Sequence, residues 1–346
     1  MAEDFDHRSF KVRVVCKTYN HAAYIKDALD GFVMQQTSFP FVCAIVDDAS
    51  TDGEQTVIRA YLEAYFDFDE DGAYSKEAYF GHISYARHKT NRNCYFVVVC
   101  LKENHFSQKK SKYPYIAEWR RVKYSALCEG DDYWTDSLKL QKQVDYLESH
   151  PDCMLAVHSA NWKTGDNLYP YGCQDSFPRD YSVEELIRCG GYYFATASFV
   201  YRSKLNLVWP EWRKKASVGD YPLQILSGLR GDVHYLPDNM CVYRYQNDGS
   251  WSHNQQNKDA NNAFQKKKIE WMTLLDEETG HSYQKAIYDQ LVQHFNSLFH
   301  LREISFWDYA KAVSKSGKKE YGRLMKDYYR VCLKPLFKSI KRESHV

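Results

Sequence analysis

Short runs of apolar, β-branched residues alternate with longer amphipathic stretches from residue 10 to about residue 240. Residues 12–16, 41–46 and 125–128 contain few polar side chains, which is typical of strands buried on both faces. The stretches 22–35 and 53–66 carry apolar side chains at helical spacing. This alternation of strand and helix predicts right-handed crossovers, and therefore an α/β fold with a mostly parallel sheet and helices on both faces.

The alternation of strand and helix continues along the chain to about residue 240. Further strands are predicted at 82–87, 154–160, 193–201 and 232–236, and further helices near 94–106, 136–149, 182–189 and 221–229. Strand signals end at about residue 258, and 263–277, 283–302 and 318–334 are predicted helices. A Gln/Asn-rich stretch at 254–262 marks a linker. We therefore predict a main domain over residues 1–255 and a C-terminal helical extension with a basic tail over residues 256–346.

Composition excludes several classes of protein. With 346 residues and 44% hydrophobic residues, the chain can bury a substantial core. The longest apolar run, residues 94–101, has eight residues, whereas a membrane-spanning helix needs about 20. The first residues lack the basic-then-apolar pattern of a signal peptide, and the ten cysteines never form a C-x-x-C pair. These features predict a reduced, cytoplasmic protein.

Charge is unevenly distributed. The net charge is +1, but residues 311–342 hold eleven Lys and Arg against two acidic residues, a local charge of +9 that leaves −8 for the remainder. Because the main domain is acidic, a nucleic-acid partner is not expected. The basic end also carries apolar residues. It is expected either to lie peripherally on an anionic membrane, at the inner face of the cytoplasmic membrane, or to pack on the acidic domain.

Polar residues follow three of the predicted strands. They are Lys17–His21 after the first strand, Asp47–Asp52 after the second, and Glu129–Trp134 after the strand at 125–128. Ligands bind at the carboxyl ends of the strands in an open parallel sheet, so these clusters should meet at one cleft.

Residues 129–132 carry three carboxylates in four positions. Such a cluster repels itself and is typical of a site for Mg²⁺ or Mn²⁺, which take oxygen ligands and leave positions for water or phosphate. Tyr133 and Trp134 offer aromatic faces that suit sugar or base rings. A capped turn at the start of the helix at 136 would explain the same residues without a ligand.

Four blocks together resemble the family 2 glycosyltransferases of GT-A fold. They are VVCKTYN at 14–20, IVDDASTDG at 45–53, EGDDYW at 129–134 and VGDYPL at 218–223. The blocks stand in the family's order and spacing, and the resemblance covers residues 10–250.

The resemblance implies roles for individual residues. Those implied to bind the nucleotide are Lys17, Thr18, Tyr19, Asp48, Arg87 and Asp131. Asp131 and Asp132 match the pair that binds a divalent metal (Mn²⁺ or Mg²⁺), and Asp220 matches the catalytic general base. Further candidates are Glu129, Trp134 and His253. The chain departs from the family where Gly219 replaces an acidic residue and Gln246 replaces a histidine, and His253 would then face the metal or diphosphate from a loop.

The activity implied is an inverting, metal-dependent transfer of a hexosyl or N-acetylhexosaminyl group. The donor would be a nucleotide-diphosphate sugar, with a UDP-sugar favoured, and the acceptor a saccharide or lipid-linked molecule in surface polysaccharide or glycoconjugate synthesis. One alternative is a sugar nucleotidyltransferase, although residues 17–20 lack the glycine-rich phosphate loop it needs. Another is an inactive carbohydrate-binding or scaffold protein, which would be expected to have lost the acidic blocks.

Overall fold

The computed structural model describes residues 10–245, 258–316 and 321–334. Two compact units are present. Among the described residues, the first contains residues 10–181, 192–208 and 227–245, and the second contains residues 182–191, 209–226, 258–316 and 321–334. The predicted boundary near residue 255 lies outside the described residues, and two short segments from earlier in the chain belong to the second unit.

The first unit is built on a mixed sheet whose described strands follow the order β11-β13-β9-β12-β7-β1-β2-β6-β5-β3. The strands are β1 Val12–Thr18, β2 Phe41–Asp47, β3 Phe66–Asp67, β4 Tyr74–Ala78, β5 Gly81–His88, β6 Cys94–Leu101, β7 Tyr124–Leu127, β8 Tyr133–Trp134, β9 Cys153–Thr164, β10 Asn167–Tyr171, β11 Arg179–Asp180, β12 Val200–Arg202 and β13 Asp232–Arg244. The predicted α/β fold with a parallel centre is confirmed in β7, β1, β2 and β6. Antiparallel strands flank this centre on both sides.

The centre of the sheet is buried on both faces, which explains its uninterrupted apolar runs. Successive side chains of a strand point to opposite faces, so Val14 and Cys43 join the core beneath the helices. Val15 and Val42 join the core on the other face, beside Trp119.

Helices of the first unit begin and end close to the predicted positions. They are α1 Ile25–Val33, α2 Glu54–Tyr65 and α3 Lys139–Ser149. Helix α1 buries Ile25, Leu29 and Phe32, which lie three or four positions apart and so share one face.

One predicted helix is wrong. Residues 94–106 were expected to be helical, but Cys94–Leu101 forms β6, buried in the sheet between β2 and β5. A continuous apolar run does not distinguish a buried helix from a buried strand by its periodicity. The strand predicted at 193–201 is also shorter, because a 3₁₀ turn at Thr196–Ser198 precedes β12.

The second unit is helical. Its described helices are α4 Val183–Arg188, α5 Glu211–Lys215, the start of α6 Asp220–Arg230, α7 Lys258–Glu278, α8 Gln284–His300, α9 Phe306–Lys315 and α10 Tyr321–Tyr328. Trp212 stacks on Trp271, with 5.9 Å between ring centroids. Helix α9 was not predicted from the sequence, although it begins at a capping box formed by Ser305 and Asp308. Across the described ranges, none of the helices combines the length and apolar character needed to cross a bilayer.

Candidate active site

The carboxyl ends of β1, β2 and β7 lie at one edge of the sheet, as predicted. The parallel register pairs Thr18 with Asp47, and the loops that follow are tied together because Asp48 N donates to Thr18 O at 3.0 Å. Gly130 N donates to Lys17 O at 3.1 Å. A Cβ atom on Gly130 would lie only 2.1 Å from Thr18 Oγ1, so glycine is needed for this close approach.

Thr18, His21 and Glu54 form a buried hydrogen-bonded group behind this edge. The Thr18 hydroxyl donates to Glu54 Oε1, and His21 Nδ1 lies 3.1 Å from Thr18 Oγ1. Glu54 Oε2 accepts from the backbone N–H of His21 at 2.9 Å and from the Ser50 hydroxyl at 2.8 Å. Burial raises the pKa of Glu54 above its ordinary value, although the hydrogen bonds that it accepts oppose the shift.

Asp131 and Asp132 occupy different environments. Asp132 is 1% exposed, and its Oδ1 accepts the backbone N–H of Arg244 at 2.9 Å. Burial, followed by the charge of Asp131, raises the pKa of Asp132 well above its ordinary value. Asp131 Oδ2 lies 3.8 Å from His21 Nε2, and the Arg244 guanidinium donates to Asp131 O at 2.7 Å. Arg244 also pairs with Asp27.

The acidic pair fits a divalent cation. Burial and the charge of Asp131 raise the pKa of Asp132. A positive charge close to the two carboxylates would stabilise their ionised forms. No group of three or more His, Cys, Asp and Glu side chains arranged for metal binding occurs among the described residues. Mg²⁺ and similar ions are usually held by one or two carboxylates, with water and substrate phosphate completing the shell. Asp131 and Asp132 can therefore hold a divalent cation only when water and a substrate phosphate supply the remaining ligands.

Asp48 is buried and already has several donors. Its carboxylate accepts from the backbone N–H groups of His105 at 2.8 Å and Phe106 at 3.0 Å, and it forms an ion pair with Lys112. Asn104 also donates to Asp48 O at 3.1 Å. The segment 104–112, which follows β6, is thus fastened to the end of β2.

Lys17 lies beside Tyr113, the residue that directly follows this segment. Lys17 Nζ is 5.0 Å from the centroid of the Tyr113 ring. Burial acts to lower the pKa of Lys17, but the neighbouring Tyr113 and Glu129 outweigh it and raise that pKa above its ordinary value. The Tyr19 side chain is exposed, so its ring is available to a ligand.

Trp134 has a packing position instead of the expected ligand-facing one. It is 2% exposed, its Nε1 donates to Ala197 O at 2.9 Å, and its ring meets Phe32 edge-on. Lys139 Nζ lies 4.2 Å from the Trp134 ring centroid. The ring faces are therefore covered by protein.

Arg87 lies at the opposite edge of the sheet from the acidic residues. The register pairs Arg87 with Tyr95 and Tyr95 with Val42, whereas the acidic residues follow Asp47. Val42 and Asp47 are five residues apart along β2, about 17 Å in a strand. Arg87 is also engaged by Glu70 at 3.0 Å. The resemblance implied that Arg87 contacts the nucleotide, but β5 is antiparallel to β6, and its end at Arg87 therefore lies away from the carboxyl ends of β1 and β2.

Asp220 belongs to the second unit, where it begins α6. Its Oδ1 accepts the backbone N–H of Tyr221 at 2.8 Å. The Tyr221 hydroxyl donates to Ile187 O at 2.7 Å, which anchors the start of the helix. His253 and Gln246 lie outside the described residues.

Four residues that surround the acidic edge were not assigned a role from the sequence. They are His21, Glu54, Lys112 and Arg244. Two of them carried a usable signal: His21 belongs to the polar cluster after the first strand, and Glu54 directly follows the N-cap-rich segment before α2.

Comparison with known proteins gives a family match and similar sequences. Residues 13–205 match the family model described as glycosyl transferase family 2. The uncharacterized proteins Rv1520 of Mycobacterium tuberculosis (strain H37Rv) and Mb1547 of Mycobacterium bovis are 32% identical over 244 residues, which is 69% of this chain and 60% of theirs. The chain thus spans less than two thirds of the length of these relatives.

Solved structures show the same fold. S. aureus TarS 1-349 in complex with UDP superposes with a TM-score of 0.56 at 16% identity, covering 93% of this chain and 87% of that one. TarS 1-349 in complex with UDP-GlcNAc gives a TM-score of 0.55 at 15% identity, covering 92% and 81%.

Proposed function

Because the chain belongs to glycosyl transferase family 2, we propose that it transfers a sugar from a nucleotide-diphosphate sugar to a saccharide or lipid-linked acceptor. The observation that carries the proposal is the acidic edge itself. Asp131 and Asp132 follow β7, beside the loop of Thr18 and the exposed ring of Tyr19. Carboxylates suited to a cation and a ring suited to a base stand together in one unit.

In this proposal the donor's base stacks on Tyr19, and Asp48 accepts the base N3–H. Lys17, whose raised pKa keeps it charged, faces the phosphates. UDP is the favoured nucleotide, and UDP-GlcNAc, the ligand named for TarS, is the first donor to test.

Asp131 and Asp132 would hold a divalent cation, Mn²⁺ or Mg²⁺. The bound cation would neutralise charge on the diphosphate leaving group. Arg244 holds both residues of the pair in place. Its backbone N–H donates to the Asp132 carboxylate, and its guanidinium donates to the backbone carbonyl of Asp131.

Asp220 is the proposed general base. It would accept the proton of the acceptor hydroxyl as that oxygen attacks the anomeric carbon and the nucleoside diphosphate leaves from the opposite side, so the configuration inverts. The support for this role is the position of Asp220 in the fourth sequence block.

Calorimetry with UDP and UDP-GlcNAc tests the proposal. Wild-type protein should bind UDP with Mn²⁺ present and at least tenfold more weakly in EDTA, because unneutralised carboxylates repel the diphosphate. Asp131→Asn should abolish this difference between Mn²⁺ and EDTA.

Asp220→Asn is the matched control, since the same carboxylate-to-amide change is made outside the donor site. It should keep UDP affinity within about twofold while lowering turnover of the donor by roughly 10²–10⁴. Equal UDP affinity with Mn²⁺ and with EDTA would remove the metal from the proposal, and failure to bind any nucleotide would remove the proposal.

A further inference from the structure

His21 lies at the acidic edge with one ring nitrogen facing a carboxylate. The residue is 9% exposed, and its Nε2 is 3.8 Å from Asp131 Oδ2. That separation is too long for a hydrogen bond. No hydrogen-bond partner of Nε2 occurs among residues 10–245, 258–316 and 321–334.

The hydrogen bonds behind His21 determine which nitrogen carries the proton. Glu54, as a carboxylate, accepts only, so the Thr18 hydroxyl has to donate its hydrogen to Glu54. Thr18 Oγ1 can then only accept from His21 Nδ1. The neutral imidazole therefore carries its proton on Nδ1 and leaves the Nε2 lone pair on the side of Asp131.

A lone pair and a carboxylate oxygen repel each other unless a positive charge lies with them. Nε2 of a neutral histidine whose other nitrogen is hydrogen-bonded is a common metal donor, and such a second bond fixes both the tautomer and the ring orientation. The Thr18–Glu54 pair supplies that second bond here.

We propose that His21 is a ligand of the divalent cation together with Asp131, and that Thr18 and Glu54 are positioning residues that fix its tautomer. The inference rests on the proposed function, since it concerns the same cation. It adds a nitrogen donor from the loop after β1 to a site otherwise made of oxygen donors.

Glu54→Gln tests the tautomer directly. The carbonyl oxygen of the glutamine has to stay at the position of Oε2, because the backbone N–H of His21 donates there. Its amide N–H₂ group then faces Thr18 and donates to Oγ1. The Thr18 hydroxyl is released to donate to His21 Nδ1, which moves the ring proton to Nε2 and removes the lone pair from the site.

The experiment measures Mn²⁺ binding by electron paramagnetic resonance, with UDP present, in the full chain. In wild type, pulsed measurements should detect nitrogen coupled to bound Mn²⁺. His21→Ala should abolish this coupling and weaken Mn²⁺ binding at least tenfold, and Glu54→Gln should reduce both by about tenfold. His150→Ala, a change at an exposed histidine at the end of α3, should alter neither.

Each result has a defined meaning. Absence of nitrogen coupling in wild type, or coupling that persists in His21→Ala, overturns the assignment of His21 as a ligand. Circular dichroism and melting temperature check that each variant is folded, and Thr18→Val, which keeps the side-chain shape, gives a second route to the same loss. If UDP binds but no nitrogen is detected, this inference fails alone, whereas absence of all UDP binding contradicts the proposed function.

Discussion

Lys268 is a buried lysine without an acidic partner among the described residues. It is 6% exposed, and its Nζ lies 5.3 Å from the centroid of the Tyr221 ring. Burial lowers the pKa of Lys268 to about 8. His294, nearby in the same unit, has its pKa lowered to about 4 by burial and by the charge of Lys268. At the residue scale, the second unit therefore carries a charge that weakens its own stability.

Replacing Lys268 by methionine should stabilise the protein at neutral pH. The unfolded chain binds the lysine proton below a pKa of 10.5, and the folded chain only below about 8, so wild-type stability rises between these pH values. We expect Lys268→Met to increase the free energy of unfolding by on the order of 2 kcal/mol at pH 7. The advantage should shrink towards pH 10. Denaturant unfolding at both pH values measures it.

Lys267→Met is the control, because Lys267 is an exposed neighbour on the same helix. It should change the free energy of unfolding by less than about 0.5 kcal/mol. A Lys268→Met protein that is less stable than wild type at pH 7 would mean that the ammonium has a favourable partner.

At the scale of elements, the segment after β6 closes over the end of β2. Residues 104–112 supply two backbone N–H groups and the Lys112 ammonium to Asp48. For Asp48 to accept a base N3–H, as we propose, the ammonium has to move. In this proposal, the base of the donor and the ammonium of Lys112 therefore compete for the same Asp48 carboxylate.

Lys112→Ala should therefore tighten UDP binding. Displacing the ammonium from a largely buried carboxylate costs at least about 1 kcal/mol, which corresponds to at least roughly fivefold in affinity. Calorimetry with UDP and Mn²⁺ measures the change. Lys110→Ala is the control, since Lys110 lies in the same segment and its ammonium pairs with Glu103, at 3.5 Å. Weaker binding in Lys112→Ala than in Lys110→Ala would show that Lys112 assists the nucleotide.

At the scale of the whole molecule, the basic end is the main asymmetry. Residues 311–342 carry +9, whereas the remainder carries −8. Within the second unit, Leu324 of α10 is buried in a cluster with Phe299 and Tyr309, while Met325 and Tyr329 are exposed. The helix thus packs Leu324 and Tyr328, whose ring centroid lies 4.5 Å from that of Phe306, and leaves Met325 at the surface.

We expect the full chain to co-sediment with vesicles containing anionic lipid and not with neutral vesicles. Each basic residue near an anionic surface contributes about 1 kcal/mol, and salt weakens the attraction. The triple variant Lys338→Glu, Lys341→Glu and Arg342→Glu should lose this binding, and circular dichroism checks that its helical content equals that of wild type. If the wild-type protein does not co-sediment with anionic vesicles at low salt, the basic end is not a membrane-binding segment.

The sequence by itself determined most of the fold and the edge at which the acidic residues lie. Runs with few polar side chains specified β1, β2 and β7, because such strands are buried on both faces. Acidic clusters directly after these strands had to meet, since parallel strands bring their carboxyl ends to one side. Asp48, Asp131 and Asp132 were found for this reason. The roles proposed for these residues, and for Asp220, came from the resemblance of the four sequence blocks to the family.

The tertiary structure alone decided what depends on strand direction and on contacts between distant segments. The sequence of β5 reads the same whether it runs parallel or antiparallel, and only its pairing with β6 places Arg87 at the far edge. An apolar run such as residues 94–101 satisfies a buried helix and a buried strand equally, so its partners made it β6. Glu54 stands 33 positions from His21 in the chain, and folding brings its carboxylate to the backbone of that loop. No local pattern encodes such a contact, because each residue's partner is chosen by the packing of the whole unit.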